Sequence, residues 1–479
     1  MRVRDSIGTL SVATREGLLY LVSIIALAAV YFPAHSFVPT CFDDCLGYIP
    51  LMGVPLFSPR YWLVAQTMFR GFSVPIIYSF FGELHQHSAY AVIVFQALVG
   101  FLSWIAFAIA VAGLVSGRRT RWLLFMLIAS AMFSRGYLAF DDRFLSDSLA
   151  LSLMLLWLAI VVNPFPLLDF ARRRLGRAGL VAFLVLFAVA TAMAASARDA
   201  NVLLLVCCIP LVVLRLWKRE LPTSIAVSMI AIIVLIGAMQ WRSAAERNGL
   251  NMADIIGGVV LPDAERKAFF VARGMPESIA SITTPRALAG RTLGQIIDDR
   301  QLVIEQIGLL KYVIMRLDPG FARHHARSIW ASYLSRHPKY VLGNIAESWA
   351  VMFDQWYDGR PSLAAGVSIF EVSKLLWIAD WIDVRFLIVI SIVLLLATLA
   401  TVRAGRSDLL LQLGVILALG GSANAVISFH GDCWEVAEMA RHAWIGSTFL
   451  RLGAAVICFR AVSLLADSIH LLGFARADT

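Results

Sequence analysis

Uncharged apolar runs, too long for the core of a soluble domain, are the feature that most constrains this chain. Residues 89–115, 178–197 and 221–241 run 27, 20 and 21 positions without Asp, Glu, Lys or Arg. A helix crosses hydrocarbon in about 20 such residues, whereas core helices in water keep a polar face. The runs carry no strict two-residue alternation, so the spanning element they predict is helical. Composition agrees: 59% of the 479 residues are hydrophobic and 15% are charged. Mean hydropathy is +0.77, and a soluble domain carries roughly 25% charged residues.

The expected fold is an all-α polytopic membrane protein of about ten transmembrane helices, near 17–38, 89–115, 122–140, 147–163, 178–196, 200–216, 222–241, 384–402, 408–428 and 443–466. Arginines and lysines gather in alternate connections, at Arg118, Arg119 and Arg121, at Arg172 to Arg177, at Arg215, Lys218 and Arg219, and at Arg403 and Arg406. By the positive-inside rule these connections and both termini face the cytoplasm. Arg2, Arg4 and Arg15 before the first run also fit a cleaved signal peptide, but Pro33, His35 and the long apolar continuation favour an uncleaved first helix. The expected location is the inner (cytoplasmic) membrane, with the other face periplasmic or extracytoplasmic.

The formal charge of +9 raises the question of nucleic acid. No cluster of basic residues is interleaved with exposed aromatics on a polar background, so no nucleic-acid partner is expected. Of the 32 acidic residues, all but Asp5, Glu16, Asp169, Glu220, Asp408, Asp467 and Asp478 fall on the side opposite the basic connections. Acids contribute little to topology, so this asymmetry is a functional clue. Three parts follow: an N-terminal transmembrane module, 1–241, with a first outer loop at 39–88; a large loop domain, 242–383; and a C-terminal transmembrane module, 384–479. The large loop holds 16 Lys/Arg and 15 Asp/Glu. Its helical periodicity, for instance over 301–317 and 338–353, predicts a helical periplasmic domain.

Four short clusters at helix ends carry the candidate chemistry. Cys41-Phe42-Asp43-Asp44-Cys45 with Tyr48 follows the first span; paired carboxylates there suit a general base or a divalent cation such as Mg or Mn, or simply a solvated loop. Asp141-Asp142-Arg143 leads into Ser146-Asp147-Ser148-Leu149, where Asp147 also suits a helix cap. Arg198-Asp199-Ala200-Asn201 sits between two spans, where the Arg fits either a phosphate or a local pair with Asp199. His430-Gly431-Asp432-Cys433-Trp434-Glu435 runs on to Glu438, Arg441 and His442; residues 435, 438 and 442 share a helix face, suited to a phosphate or to an ion-pair ladder.

Other signals favour plainer readings. His85 and His87 follow no strand pattern, and the adjacent His324 and His325 read as surface residues. Asp298-Asp299-Arg300 and the charges over 354–360 read as solvated. Cys207, Cys208 and Cys458 lie inside spans as apolar packers. Cys41, Cys45 and Cys433 fall on the outer side, where Cys41–Cys45, a bridge to Cys433 and no bridge all remain open.

The arrangement resembles the GT-C class of membrane glycosyltransferases, which use polyprenyl-phosphate sugars. Asp44-x-x-x-Tyr48 is similar to the Asp-Glu-x-x-Tyr segment of the aminoarabinose-transferase and protein-mannosyltransferase branches. Asp147-Ser148-Leu149 resembles an acidic-x-Leu signature, and Gly431-Asp432 through Glu435 to Arg441-His442 resembles a late outer loop of bacterial relatives. Cys45 stands where that family has Glu, and the first loop has no Asp-x-Asp motif, which leaves metal use and branch open. The resemblance implies transfer of a sugar from a polyprenyl-phosphate donor to an acceptor hydroxyl of a glycan, lipid or protein, within reach of membrane lipids. Asp44 would be the catalytic base with Asp43 its alternate. Tyr48, Asp141, Asp142, Asp147, Arg198, Glu435, Arg441 and His442 would bind substrate, with Arg198, Arg441 and His442 at the phosphate. Two alternatives stay open: an O-antigen polymerase or ligase, and a transporter or flippase of lipid-linked saccharides.

Overall fold

The computed structural model describes residues 2–35, 37, 54, 58–59, 73–82, 86–134, 136–138, 146–247, 249–299, 301–354, 363–364, 367–368, 375–401, 408–431, 433 and 436–477. Helix dominates them, and the only strands among them are a two-residue antiparallel pair, Leu363–Ala364 with Val367–Ser368. The chain is an all-α, multi-pass, membrane-embedded protein. Among the described residues, six helical stretches are long and apolar enough to cross a bilayer: Glu16–Ala34, Ala89–Ala112, Phe165–Ala197, Thr223–Ser243, Leu409–His430 and Met439–Leu464. Their outward faces are apolar too. Val181, Val185 and Val189 form an exposed stripe at four-residue spacing, and Phe386, Val389 and Val393 form one at three- and four-residue spacing on the Val384–Thr401 helix. Such stripes find their solvent in lipid.

The other four expected spans are shorter. Asp147–Val162, Asn201–Trp217 and Val384–Leu396 are apolar helices below that length. The segment expected at 122–140 is a helix over Arg118–Ser130 followed by a tight turn, Ala131–Phe133. Ser134 turns extended, with ψ 142°, which ends the helix. The first helix begins at Arg2, well before the apolar run. Within Phe165–Ala197, Gly176 has φ +57° and breaks the helix among the arginines, so the arm before it folds back against the arm after it. A residue with a Cβ would be strained at that φ.

The last two long helices, Leu409–His430 and Val436–Ala477, pack along much of their length. They approach backbone to backbone: a Cβ on Gly421 would meet Gly446 O and Leu450 N at 2.5 Å, and one on Gly453 would meet Ala418 N at 2.4 Å. Without a hydrophobic drive between helices in lipid, such close contact is what joins them.

Residues 249–353 form a second helical layer with its own core, built around Ile256, Val260, Phe270, Ile307 and Trp330, and closed by Phe429, Met439 and Ala443 of the long pair. Ordinary capping shapes it: Asp263 accepts from Arg266 N, and Thr292 and Gln295 make a reciprocal box. The periodicity expected over 301–317 and 338–353 is helical, but with wide turns. Ile256–Val260, Leu302–Ile307, Phe321–His325 and Ala350–Asp354 are π-helical. Arg451, buried in the last helix, donates to Phe353 O at 3.2 Å and to Ile382 O at 2.9 Å, and so ties this layer to the membrane bundle.

Candidate functional site

Up-and-down connectivity brings several of the predicted clusters to one end of the bundle. The Phe165–Ala197 helix stops because Arg198 is extended, at φ −155° and ψ 133°, and a turn closed by Asn201 N–H to Arg198 O starts the next helix. Three helices hold that turn. The Arg198 guanidinium pairs with the carboxylate of Asp147, in the first turn of Ser146–Val162. Gln240 Nε2 donates to Asp199 Oδ1 at 2.7 Å, and Asn424 Nδ2 donates to Ala200 O at 2.7 Å.

Asp147 is 2% exposed and Arg198 is partly buried, so the carboxylate of this pair lies away from water at the end of two apolar helices. The second and third predicted clusters therefore meet directly. Arg198 takes its partner from another helix and not from neighbouring Asp199, which turns instead to Gln240. Next to Asp147, Ser148 accepts from Gln96, whose own carboxamide oxygen accepts from Tyr78. Tyr137 and Ser152 bond at 3.0 Å one turn further along. Two acceptors in this network, Asn201 Oδ1 and Asn424 Oδ1, are buried and meet no donor among the described residues. A buried acceptor left open costs ~1–3 kcal/mol, so a hydroxyl or water there is worth holding.

The fourth cluster lies at the same end, where Val436–Ala477 begins. Trp444 abuts Gly136, at the close of the Arg118–Leu138 stretch, within 3.1 Å of where a Cβ would stand. Arg441 is one turn earlier and 5% exposed; His442 beside it is half-buried. His430 closes the preceding helix. Its Nδ1 faces Val426 O at 2.8 Å, and a carbonyl only accepts, so Nδ1 donates. Nε2 is then bare and accepts from Asn344 Nδ2 at 3.3 Å, while Trp330 Nε1 donates to His430 O at 2.8 Å. His430 thus fastens the second layer to the membrane helices.

Asp43, Asp44, Tyr48, Asp141, Asp142 and Glu435 lie outside the described residues, as do Cys41 and Cys45. Cys433 is buried, with its sulfur against Gly258. Among the described residues no three His, Cys, Asp or Glu side chains gather as a metal site. Asp299 caps its helix from Leu302 N at 3.1 Å and pairs with Arg291 at 3.0 Å; the backbone bond first and Arg291 second hold its carboxyl below the usual range. His324 and His325 are exposed, as expected.

The opposite end of the bundle is built differently. Glu16, Glu220 and Asp408, three of the few acids expected on the basic side, each pair with an arginine: Arg121 at 3.3 Å, Arg215 at 3.0 Å and Arg460. A small cavity lined by Leu114, Val162, Leu211, Arg215, Leu409 and Leu413 lies at that end, away from the candidate residues. Its acids are structural counter-ions.

Sequence reasoning placed Asn201 in the third cluster but missed Gln96, Gln240 and Asn424 as members of the network. Gln96, Gln240 and Asn424 were visible as carboxamides inside otherwise apolar runs, where a polar group needs a partner and marks a site. No family model matches this chain, and no curated protein sequence matches it.

Proposed function

We propose that this protein is a membrane glycosyltransferase that moves a sugar from a polyprenyl-phosphate donor to an acceptor hydroxyl at the outer face of the inner membrane. The observation that carries the reading is the buried polar network at one end of an apolar bundle: Asp147 with Arg198, the open acceptors of Asn201 and Asn424, and buried Arg441. Buried charge of this kind at the lipid boundary is costly and is kept for function. A donor with a charged phosphate and a long lipid tail needs cationic side chains within reach of hydrocarbon, and Arg198 and Arg441 sit at helix ends near the bilayer surface.

In this reading ten segments cross the membrane, the arginine-rich end is cytoplasmic, and residues 242–383 stand outside. Asp44, with Asp43 as alternate, takes the proton from the acceptor hydroxyl as it attacks the anomeric carbon. The bond between the anomeric carbon and the donor's phosphate oxygen breaks, and its electrons leave with the lipid phosphate, whose charge Arg441 and His442 meet. Arg198 is already neutralised by Asp147, so it contributes its remaining N–H donors and not a net charge. Tyr48, Asp141, Asp142 and Glu435 complete the substrate pocket, and a single displacement inverts the anomeric centre.

Arg441→Ala tests the phosphate grip. Loss of one charge-assisted hydrogen bond is worth ~1.5–3 kcal/mol, which predicts about 10- to 100-fold weaker use of a synthetic polyprenyl-phosphate sugar in detergent. Arg441→Lys retains part of the activity. Donor affinity and turnover unchanged in the alanine variant, with the protein still folded, would contradict the assignment.

A further inference from the structure

The helix Gly308–Leu317 buries one face and leaves another equally apolar face uncovered. Leu310 and Ile314 pack into the second core, and Lys311 Nζ pairs with the buried Asp254 at 2.6 Å. On the other side Leu309, Tyr312, Val313 and Leu317 follow helical spacing and are exposed, Leu309 by 64% and Tyr312 by 73%. A helix apolar on both faces is not a water-facing element.

Its surroundings indicate the occupant. Four residues beyond Leu317, the Phe321–His325 segment begins and packs on the end of the Thr223–Arg247 helix. There Arg323 closes on Gly249, and the Arg327 guanidinium lies 3.8 Å from the centre of the Trp241 ring. Trp241 and Met239 are themselves exposed, at the end of a membrane-crossing stretch. A tryptophan at a span end marks the headgroup level. The uncovered stripe thus continues the lipid-facing surface of that span, with exposed Arg316 and His324 on its rim and Glu305 at its far end.

We propose that Gly308–Leu317 is an interfacial helix that lies in the bilayer surface, with its Leu309–Tyr312–Val313–Leu317 stripe among acyl chains and its cationic rim toward anionic headgroups. The occupant is the membrane itself. It anchors the second layer over the bundle and fixes that layer's height above the lipid. The proposal is independent of the enzymatic reading.

The test uses the full chain in nanodiscs that contain a phospholipid with a photoactivatable diazirine near the acyl carbonyl, with labels mapped by peptide mass spectrometry. Residues 304–317 should take label roughly threefold or more above residues 286–299 of the same layer, and more in phosphatidylglycerol than in phosphatidylcholine, as surface helices do. The combined variant Leu309→Gln, Tyr312→Gln and Val313→Gln should bring 304–317 down to the level of 286–299. Labelling of 178–197 should stay unchanged, which shows that the protein is still inserted. Equal labelling of 304–317 and 286–299 in the unsubstituted protein, or cross-links joining two copies through 304–317 with lipid excluded, would overturn the proposal.

Discussion

Replacement of Asp147 by Ala is expected to be among the most damaging single changes in the bundle. It would leave the Arg198 guanidinium at the end of two apolar helices without its carboxylate. Breaking a buried pair from one side costs ~3–5 kcal/mol, because the remaining charge stays desolvated. The loss should appear as a lower melting temperature of the full protein in detergent. Asp147→Asn, which keeps a hydrogen-bond acceptor in the same volume, should cost less. Asp147→Leu combined with Arg198→Met should recover much of the stability, since neither charge is then stranded. Stability restored without transfer activity would separate the pair's part in the site from its part in the fold. A melting temperature unchanged in Asp147→Ala would show that the pair holds nothing together.

The second large effect is steric. Gly421→Leu should separate the last two long helices, because even the Cβ would stand 2.5 Å from Gly446 O and Leu450 N, and backbone cannot swing aside as a side chain can. Overpacking of a close contact costs ~1–3 kcal/mol when neighbours relax, and these neighbours are main chain. Gly343→Ala is the control, since a Cβ there meets nothing within 4 Å. It should be neutral or stabilising by about 1 kcal/mol, the usual gain of Ala over Gly in a helix. The His430 clamp on the second layer depends on the same helix pair, so Gly421→Leu should also speed proteolysis of residues 249–353. Comparable melting of both glycine variants would refute the close crossing.

Much of this fold was legible because lipid imposes a length rule that Ala89–Ala112, Thr223–Ser243 and Leu409–His430 obey plainly. The break near Ser134 was not read although Arg135 lies inside the expected span 122–140; the flanking Ser134 and Gly136 are small residues that apolar helices tolerate, and Trp444 packs against Gly136. The four π-helical turns were hidden for a related reason. Hydrophobic periodicity does not separate a single wide turn from an ordinary helical one.

In the candidate site, charge and helix-end position singled out Asp147, Arg198 and Arg441 as candidates. They did not identify which charge meets which: Asp199 is adjacent to Arg198 in sequence, yet the pair forms 51 residues apart, because the two helix ends coincide in space. The carboxamides of Gln240 and Asn424 fell inside runs read for length, and their polarity was averaged away. Glu16, Glu220 and Asp408 stood out as exceptions to the acidic asymmetry, and each has an arginine to neutralise at the other end.

The central claim is that one end of this bundle transfers sugar from a lipid phosphate, with the base in the first loop. The most direct measurement is transfer from a synthetic polyprenyl-phosphate sugar by purified full-length protein, comparing the unsubstituted chain with Asp44→Asn. The account predicts transfer by the first with inversion at the anomeric carbon. It predicts loss of roughly 100-fold or more in the second, the range general-base removal gives, with normal membrane insertion and melting. Full activity in Asp44→Asn would contradict the assigned base, and no transfer by the unsubstituted protein from any polyprenyl-phosphate sugar would contradict the account as a whole.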